Sequence, residues 1–394
     1  MAGTDFFHGV TTTSVDTGAR TISLPSSSII GLVDTFSAGP LASGVPTAKA
    51  GVPVLLTSER EAIAAFGEGS AVVKAARAIY VRAKAVIVAV GIQEGGDAAT
   101  LTSAVIGGVK ASGERSGLQA LLDGKSLFNA QPRLLVAPGH SRIQAVATAM
   151  DALAEKLGAI AIIDGPGTTD EAAIAYAKNF GSRRLYMVDP GVQFWDTVAN
   201  ATVDAPASAW TAGVFAWTDA TFGFWASPSN KELVGITGTT RSVEFLDNDP
   251  TCRANLLNKA HVSTIIRDDG FRLWGNRTLS SDAKWSFVTR VRTLDMVMAA
   301  VLSGHKWAVD RGMTKTYIKD VTEGLNNFMR DLKNQGAVIN FEVYVDAEKT
   351  TATQLSEGRA FWRIRFTDVP PAENPNFEFE VTDQWMTEIL DTKA

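Results

Sequence analysis

LGAIAIIDG, residues 157–165, is the stretch on which the fold turns. From Ala159 to Ile163 it holds no polar residue, and Asp164–Gly165 stops it. A strand with one wet face would alternate. An uninterrupted apolar run of this length suits a strand buried on both faces, as in a parallel sheet covered by helices. AKAVIVAVG (83–91), PRLLVAPG (132–139) and RRLYMVDPG (183–191) are runs of the same kind, each stopped by Gly or Pro. Helical patterns lie between them. SRIQAVATAMDALAEKL (141–157) sets Ile143, Val146, Met150, Leu153 and Leu157 on one stripe. TTDEAAIAYAKNF (168–180) opens with Thr and then acids, a good helix start. Strand, helix, strand, helix predicts an α/β fold: a central, mostly parallel sheet with helices on its faces.

The 394 residues exceed what one small core organises. Hydrophobic residues at 45% and charged residues at 20% are an ordinary globular balance. A net charge of −5 argues against a general nucleic-acid binder. No apolar run nears the roughly 20 residues that span a bilayer, so no membrane insertion is expected. MAGTDFFHG lacks the basic patch and apolar core of a signal peptide. A lone cysteine, Cys252, excludes an internal disulfide framework and fits a reducing cytoplasm.

Beyond the alternation the pattern changes. Residues 192–258 scatter Trp195, Trp210, Trp217 and Trp225 among small and turn-forming residues, and read as an irregular aromatic-filled extension. From about 261 a third region begins, with helical patterns at 285–304 and 314–334. GAVINFEVYVD (336–346) and GRAFWRIRFTDV (358–369) then alternate as a strand pair, giving a compact C-terminal α+β domain. The expected divisions are an extended arm at 1–24, the α/β part at 25–258, the α+β domain at 259–369 and a second arm at 370–394.

Catalytic constellations are thin. His140 and Ser141 follow one predicted strand, and Asp164 and Asp189 end the next two. Catalytic groups of α/β folds collect at such ends. A Ser141/His140/Asp164 hydrolase is therefore the rival reading. It lacks a GxSxG elbow, adjacent residues rarely aim at each other, and Ser141 is a natural helix N-cap. GLQALLDGKS (117–126) has Gln119 where a phosphate loop needs Gly, and reads better as a helix capped by Gly124. The four histidines are scattered, so no metal site or cofactor is expected.

Two features point to assembly. At about 100° per residue the helix 313–336 puts Ile318, Val321, Leu325, Phe328, Met329 and Leu332 on one stripe. Lys315, Lys319, Arg330 and Lys333 fall within an arc of about 60° on another face. That face is either simply solvated or fitted to an acidic protein surface. The second feature is at the chain ends. In FTDVPPAENPNFEFEVTDQW (366–385), Phe377, Phe379 and Val381 alternate with Glu378, Glu380 and Thr382. Pro370, Pro371 and Pro375 cut this strand off from the body. GVTTTSVDTGARTISLP (9–25), with Val10, Val15, Ile22 and Leu24, mirrors it, although taken alone it reads equally as an ordinary first strand of a sheet. Strands on stiff tethers are expected to pair with another copy, and such contacts, repeated head to tail, build a helical array.

FFHGV, GARTISLP, LFNAQPRLLVAPGHS, RDDGFRLWGNRT, HKWAVDRGMTK and FTDVPPAENPNF together resemble the contractile tail sheath protein of short-subunit myophages, in particular the sheath of R-type pyocins. The resemblance covers essentially the whole chain. It implies a structural protein without enzymatic activity or cofactor. It implies stacked hexameric rings around a tail tube, contraction that drives the tube through a bacterial envelope, and arms that add strands to neighbouring subunits. Tail tube, baseplate and tail terminator proteins are the implied partners. The implied location is assembly in the bacterial cytoplasm and release within an extracellular particle. In that family a charged helix of the inner domain grips the tube, a role carried here onto Lys315, Lys319, Arg330 and Lys333.

Overall fold

The four apolar runs are strands, and three of them lie side by side. The computed structural model describes residues 22–37 and 47–390. In chain order the first strands are β1 (Ile30–Phe36), β2 (Pro53–Leu56), β3 (Ile87–Gln93), β4 (Leu134–Val136), β5 (Ile160–Asp164) and β6 (Leu185–Val188). After them come β7 (Val192–Asp196), β8 (Ala201–Ala205), β9 (Lys231–Glu232), β10 (Gly238–Thr239), β11 (Val262–Arg267) and β12 (Phe271–Trp274). Nine strands form one sheet in the order β2-β3-β1-β4-β5-β6-β11-β12-β9. From β3 to β11 every pairing is parallel, and antiparallel strands finish both ends.

Eight helices accompany this part: α1 (Glu59–Phe66), α2 (Ala71–Tyr80), α3 (Ala98–Ile106), α4 (Gly124–Phe128), α5 (Gln144–Leu157), α6 (Asp170–Ala177), α7 (Ser208–Phe222) and α8 (Arg253–Lys259). Ile160 and Ile162 of β5 join the core built with α1, α2 and α7. Ala161 and Ile163 join the opposite core, with α3, α5, α6 and α8. Period-two alternation therefore persists in a strand with no polar face, because helices bury both sides.

Four local readings change. IGLVDTF, which carries Gly31 and Asp34, is the strand β1 between β3 and β4; its broken apolar run hid it. The stretch 192–258 is not irregular throughout: SAWTAGVFAWTDATF is the helix α7, buried from Ser208 to Ala216. A helix apolar all round shows no stripe. It packs against α2 at Gly213, where a Cβ would sit 3.0 Å from the Ile79 carbonyl oxygen. Ser141 is not the cap of α5, whose cap position is Ile143; it lies in the 3₁₀ turn before it. Gly124 caps a 3₁₀ helix, Gly117–Asp123, but does not end the helical run: it also opens α4.

Residues 262–274 run in the central sheet, and the chain leaves that sheet after Trp274. The helix α9 (Val288–Gly304) then joins two cores: Val288 and Val291 lie in the first, Met296, Val297 and Ala300 in a third. Buried ion pairs secure it. Arg292 forks onto Asp219 of α7, and Asp295 pairs with Arg184. The third core holds α10 (Lys315–Asn334) against the antiparallel pair β13 (Val338–Val345) and β14 (Trp362–Asp368). Val321, Leu325, Phe328, Met329 and Leu332 of the expected stripe are buried there. Thr314 caps α10 by accepting the Tyr317 N–H.

Candidate functional site

The hydrolase cluster does not assemble. Ser141 is fully buried, and its hydroxyl donates to Asp164 Oδ2 at 3.1 Å while accepting the Asp164 N–H at 2.9 Å. The His140 ring turns elsewhere, to Asp34 Oδ1 at 3.2 Å. Asp164 itself accepts the Gly139 N–H at 3.0 Å, the Ser208 N–H at 2.9 Å and the Ser208 hydroxyl at 2.7 Å. A carboxylate saturated this way is a structural node: it holds the turn after β4 and the first residue of α7 at the end of β5. The triad needs the Ser141 hydroxyl aimed at the His140 ring and reachable by substrate, and neither holds here. Asp189, at the next strand end, pairs with Arg241 and accepts the Gly167 N–H at 2.6 Å.

The cationic face of α10 is as the spacing requires. Lys315, Lys319, Arg330 and Lys333 are all exposed. Their tethers are weak: Lys319 lies 3.6 Å from Glu323, Arg330 donates to Asn327 at 2.8 Å and Lys333 to Asn340 at 3.0 Å. Only one of these partners is charged, so the face stays net positive.

The C-terminal segment is held at its root and free beyond it. Asp368, the last residue of β14, accepts from Arg290 Nε at 2.9 Å. Five residues on, Glu373 accepts two bonds from Arg277, at 2.7 and 2.6 Å. Arg277 comes from the stretch linking the central sheet to α9, and Arg290 from the first turn of α9. Glu373 lies between Pro371 and Pro375, so a stiff extended piece is pinned at two points. Past it, Phe377, Phe379 and Val381 are 75%, 93% and 97% exposed and belong to no strand. The alternation fits a strand, yet among the described residues this strand has no partner. These anchors were legible only as a lone Glu among prolines, with no sequence cue to their arginines.

The opposite end behaves differently. Val10 and Val15 lie outside the described residues. Ile22 is buried in the third core, with Leu24 beside it and the Ile22 side chain against Gly304. These two residues pack within their own chain, so any free arm ends before them.

The pair β13–β14 forms a sheet of two strands. Among the described residues neither outer edge has a partner. Phe341, Val343, Trp362, Ile364 and Phe366 face the third core but are only half-buried. Such edges accept a further strand.

Comparison with known proteins agrees with this organisation. Residues 113–279 match the phage tail sheath protein central domain, 280–382 the phage tail sheath C-terminal domain and 27–92 the tail sheath protein Gp18 domain III N-terminal region. The chain is 72% identical over 386 residues to a putative prophage major tail sheath protein of Pseudomonas aeruginosa (strain UCBPP-PA14), covering 98% of this chain and 99% of that one. It is 33% identical over 393 residues to the tail sheath protein of Escherichia phage P2, covering 98% of each. Among solved structures, the helical sheath of the anti-feeding prophage in its contracted state superposes with a TM-score of 0.70 at 21% identity, covering 96% of this chain and 99% of that one. The contracted sheath complex of the extracellular contractile injection system PVC gives 0.68 at 18% identity, covering 96% and 98%. At such identities the last two show the fold.

Proposed function

The chain belongs to the phage tail sheath family, and on that premise we propose that copies of it polymerise as stacked hexameric rings around a tail tube and contract to drive the tube through a target bacterial envelope. The observation that carries this reading is the exposed, alternating Phe377–Val381 segment on a pinned proline tether. A lone apolar strand in water is unstable and must find an edge. Supplied by a neighbouring copy, that edge makes each subunit both donor and acceptor, and the contact propagates.

The same geometry suits contraction. Two helix-covered faces and buried ion pairs make a rigid body. A short extended link joins neighbours while the bodies rotate and repack into a denser lattice, so the energy is stored in assembly and no nucleotide is consumed. Lys315, Lys319, Arg330 and Lys333 would hold an acidic tube surface. Exposed ion pairs are worth only about 0–1 kcal/mol each, so that grip breaks cheaply when the sheath moves outward. Baseplate and tail terminator proteins are the expected partners at the two ends of the stack. Assembly would occur in the bacterial cytoplasm, before release in a phage tail or pyocin particle. The work is mechanical, and the Ser141–Asp164 geometry favours no hydrolase.

The test is negative-stain microscopy of the purified chain with and without residues 376–394. Wide hollow cylinders from the full chain, lost on truncation, support the reading. Uniform compact particles from the full chain overturn it.

A further inference from the structure

We propose that the crevice outside the carboxyl ends of β1 and β4 is a binding site for a small organic cation, an ammonium or guanidinium head on an apolar stem. The order of the sheet puts a crevice there. From β1 the chain crosses to β2 and β3 on one side and then to β4 on the other, so successive crossovers diverge between β1 and β4. In a parallel sheet covered by helices, ligands collect at such a divergence, beyond the strand ends. Here β4 stops pairing with β1 at Val136, opposite Leu32, and Asp34 and Pro138 stand just past that point. Both line a cavity of about 260 Å³, with further walls from α2, α7, β7 and β8. Pockets for drug-sized ligands run to about 300–1,000 Å³, so this one suits something smaller.

The lining selects a cation. Asp34 is 5% exposed, and its Oδ1 is taken by the Thr35 N–H at 2.8 Å and the His140 ring at 3.2 Å. Among the described residues its Oδ2 has no hydrogen-bond partner. Burial raises this carboxyl above its usual range, and a cation beside it would offset that cost. Phe194 and Trp210 supply an aromatic wall, with ring centroids 5.1 Å apart. Aromatic rings attract cations to their faces and shelter an apolar stem. Lys74 and Asp204 complete the charged lining. Lys74 is already matched by Asp196 at 2.9 Å, so Asp34 and Asp204 leave the cavity net negative. An anion would be repelled here, and a neutral ligand would leave Asp34 unmatched. The site is independent of the strand exchange proposed above, which draws on neither Asp34 nor Trp210.

Calorimetric titration of the full-length protein tests the charge rule with three probes of nearly one shape: phenethylammonium, neutral phenethyl alcohol and anionic hydrocinnamate. The ammonium should bind more tightly than the alcohol by about tenfold or more, and the carboxylate should not bind. Asp34→Asn, folded by circular dichroism, should bring the ammonium down to the affinity of the alcohol and leave the alcohol unchanged. Phe194→Leu, at a half-buried position, should narrow the gap between the two and serves as the test if the first variant does not fold. No heat from the ammonium up to about 10 mM, or equal affinity for ammonium and alcohol, would overturn the site. The titration is run below and above the protein concentration at which polymers sediment. Uptake at both is the expected result. Uptake lost in the polymers would overturn the free ligand and give the cavity to a cationic side chain of a neighbouring copy.

Discussion

Arg277 and Glu373, 96 residues apart in sequence, form a two-bonded ion pair at 2.7 and 2.6 Å that fixes where the C-terminal segment leaves the body. The pair is 35% and 38% exposed, so its worth lies less in stability than in direction. It turns a proline-rich linker into a bracket with a defined end. Beyond Pro375 the chain is free to reach; before it, the chain moves with its subunit.

Arg277→Glu should therefore change stability by no more than about 1 kcal/mol. It should, however, speed protease cleavage between 370 and 376 and lower the yield of polymers. The exchange Arg277→Glu/Glu373→Arg should recover both. Cleavage rates unchanged in the single variant would show that the pair does not hold the tether.

Lys319→Glu combined with Lys333→Glu should weaken attachment to tail tubes and spare tube-free polymers. The loss should be larger at low salt, where exposed charges act over a longer range. Co-sedimentation with tubes at two ionic strengths reads this directly. Equal tube binding by the variant and the parent at low salt would remove the cationic face of α10 from the grip.

Asp164→Ala should be among the most damaging single changes. It strands the Gly139 N–H, the Ser208 N–H and hydroxyl, and the Ser141 hydroxyl, all at or near the end of β5. Leaving even one buried donor unmet costs about 1–3 kcal/mol, so a loss above about 3 kcal/mol is expected. Ser141→Ala removes a single bridge and should cost about 1–3 kcal/mol. Urea midpoints compare the two, and a milder effect for Asp164→Ala would contradict the node.

Asp34 gives a pH prediction. Burial pushes its carboxyl above the usual range, opposed by the His140 ring and the Thr35 N–H. Below about pH 4 both folded and unfolded states hold the proton. As pH rises from there the unfolded chain ionises first, so the Asp34 contribution to stability falls with rising pH. The stability of the parent minus that of Asp34→Asn should decline from acid toward neutral pH. A flat or rising difference in denaturation free energy would refute the assignment.

The strands β3 to β6 were legible because burial on both faces leaves a run with nothing polar in it, and α10 because one buried stripe repeats at helical period. β1 was not. Its Gly31 and Asp34 break the run, and only the neighbouring β3 and β4, together with His140 over Asp34, make that composition tolerable at the sheet's centre. α7 was missed for the opposite reason: packed on nearly every side, it has no face to signal.

The sequence by itself determined the sheet's composition, the stripe of α10 and the strand alternation of Phe377–Val381, since each is a local periodicity that solvent enforces wherever the segment sits. It also carried the family resemblance, through segments spread along the whole chain. Only the tertiary structure decided that Ser141 serves Asp164 rather than His140, that Ile22 and Leu24 pack in their own core and that Glu373 meets Arg277. Those are pairings between residues distant in the chain. They depend on which elements the closed packing brings together, and no local pattern encodes them.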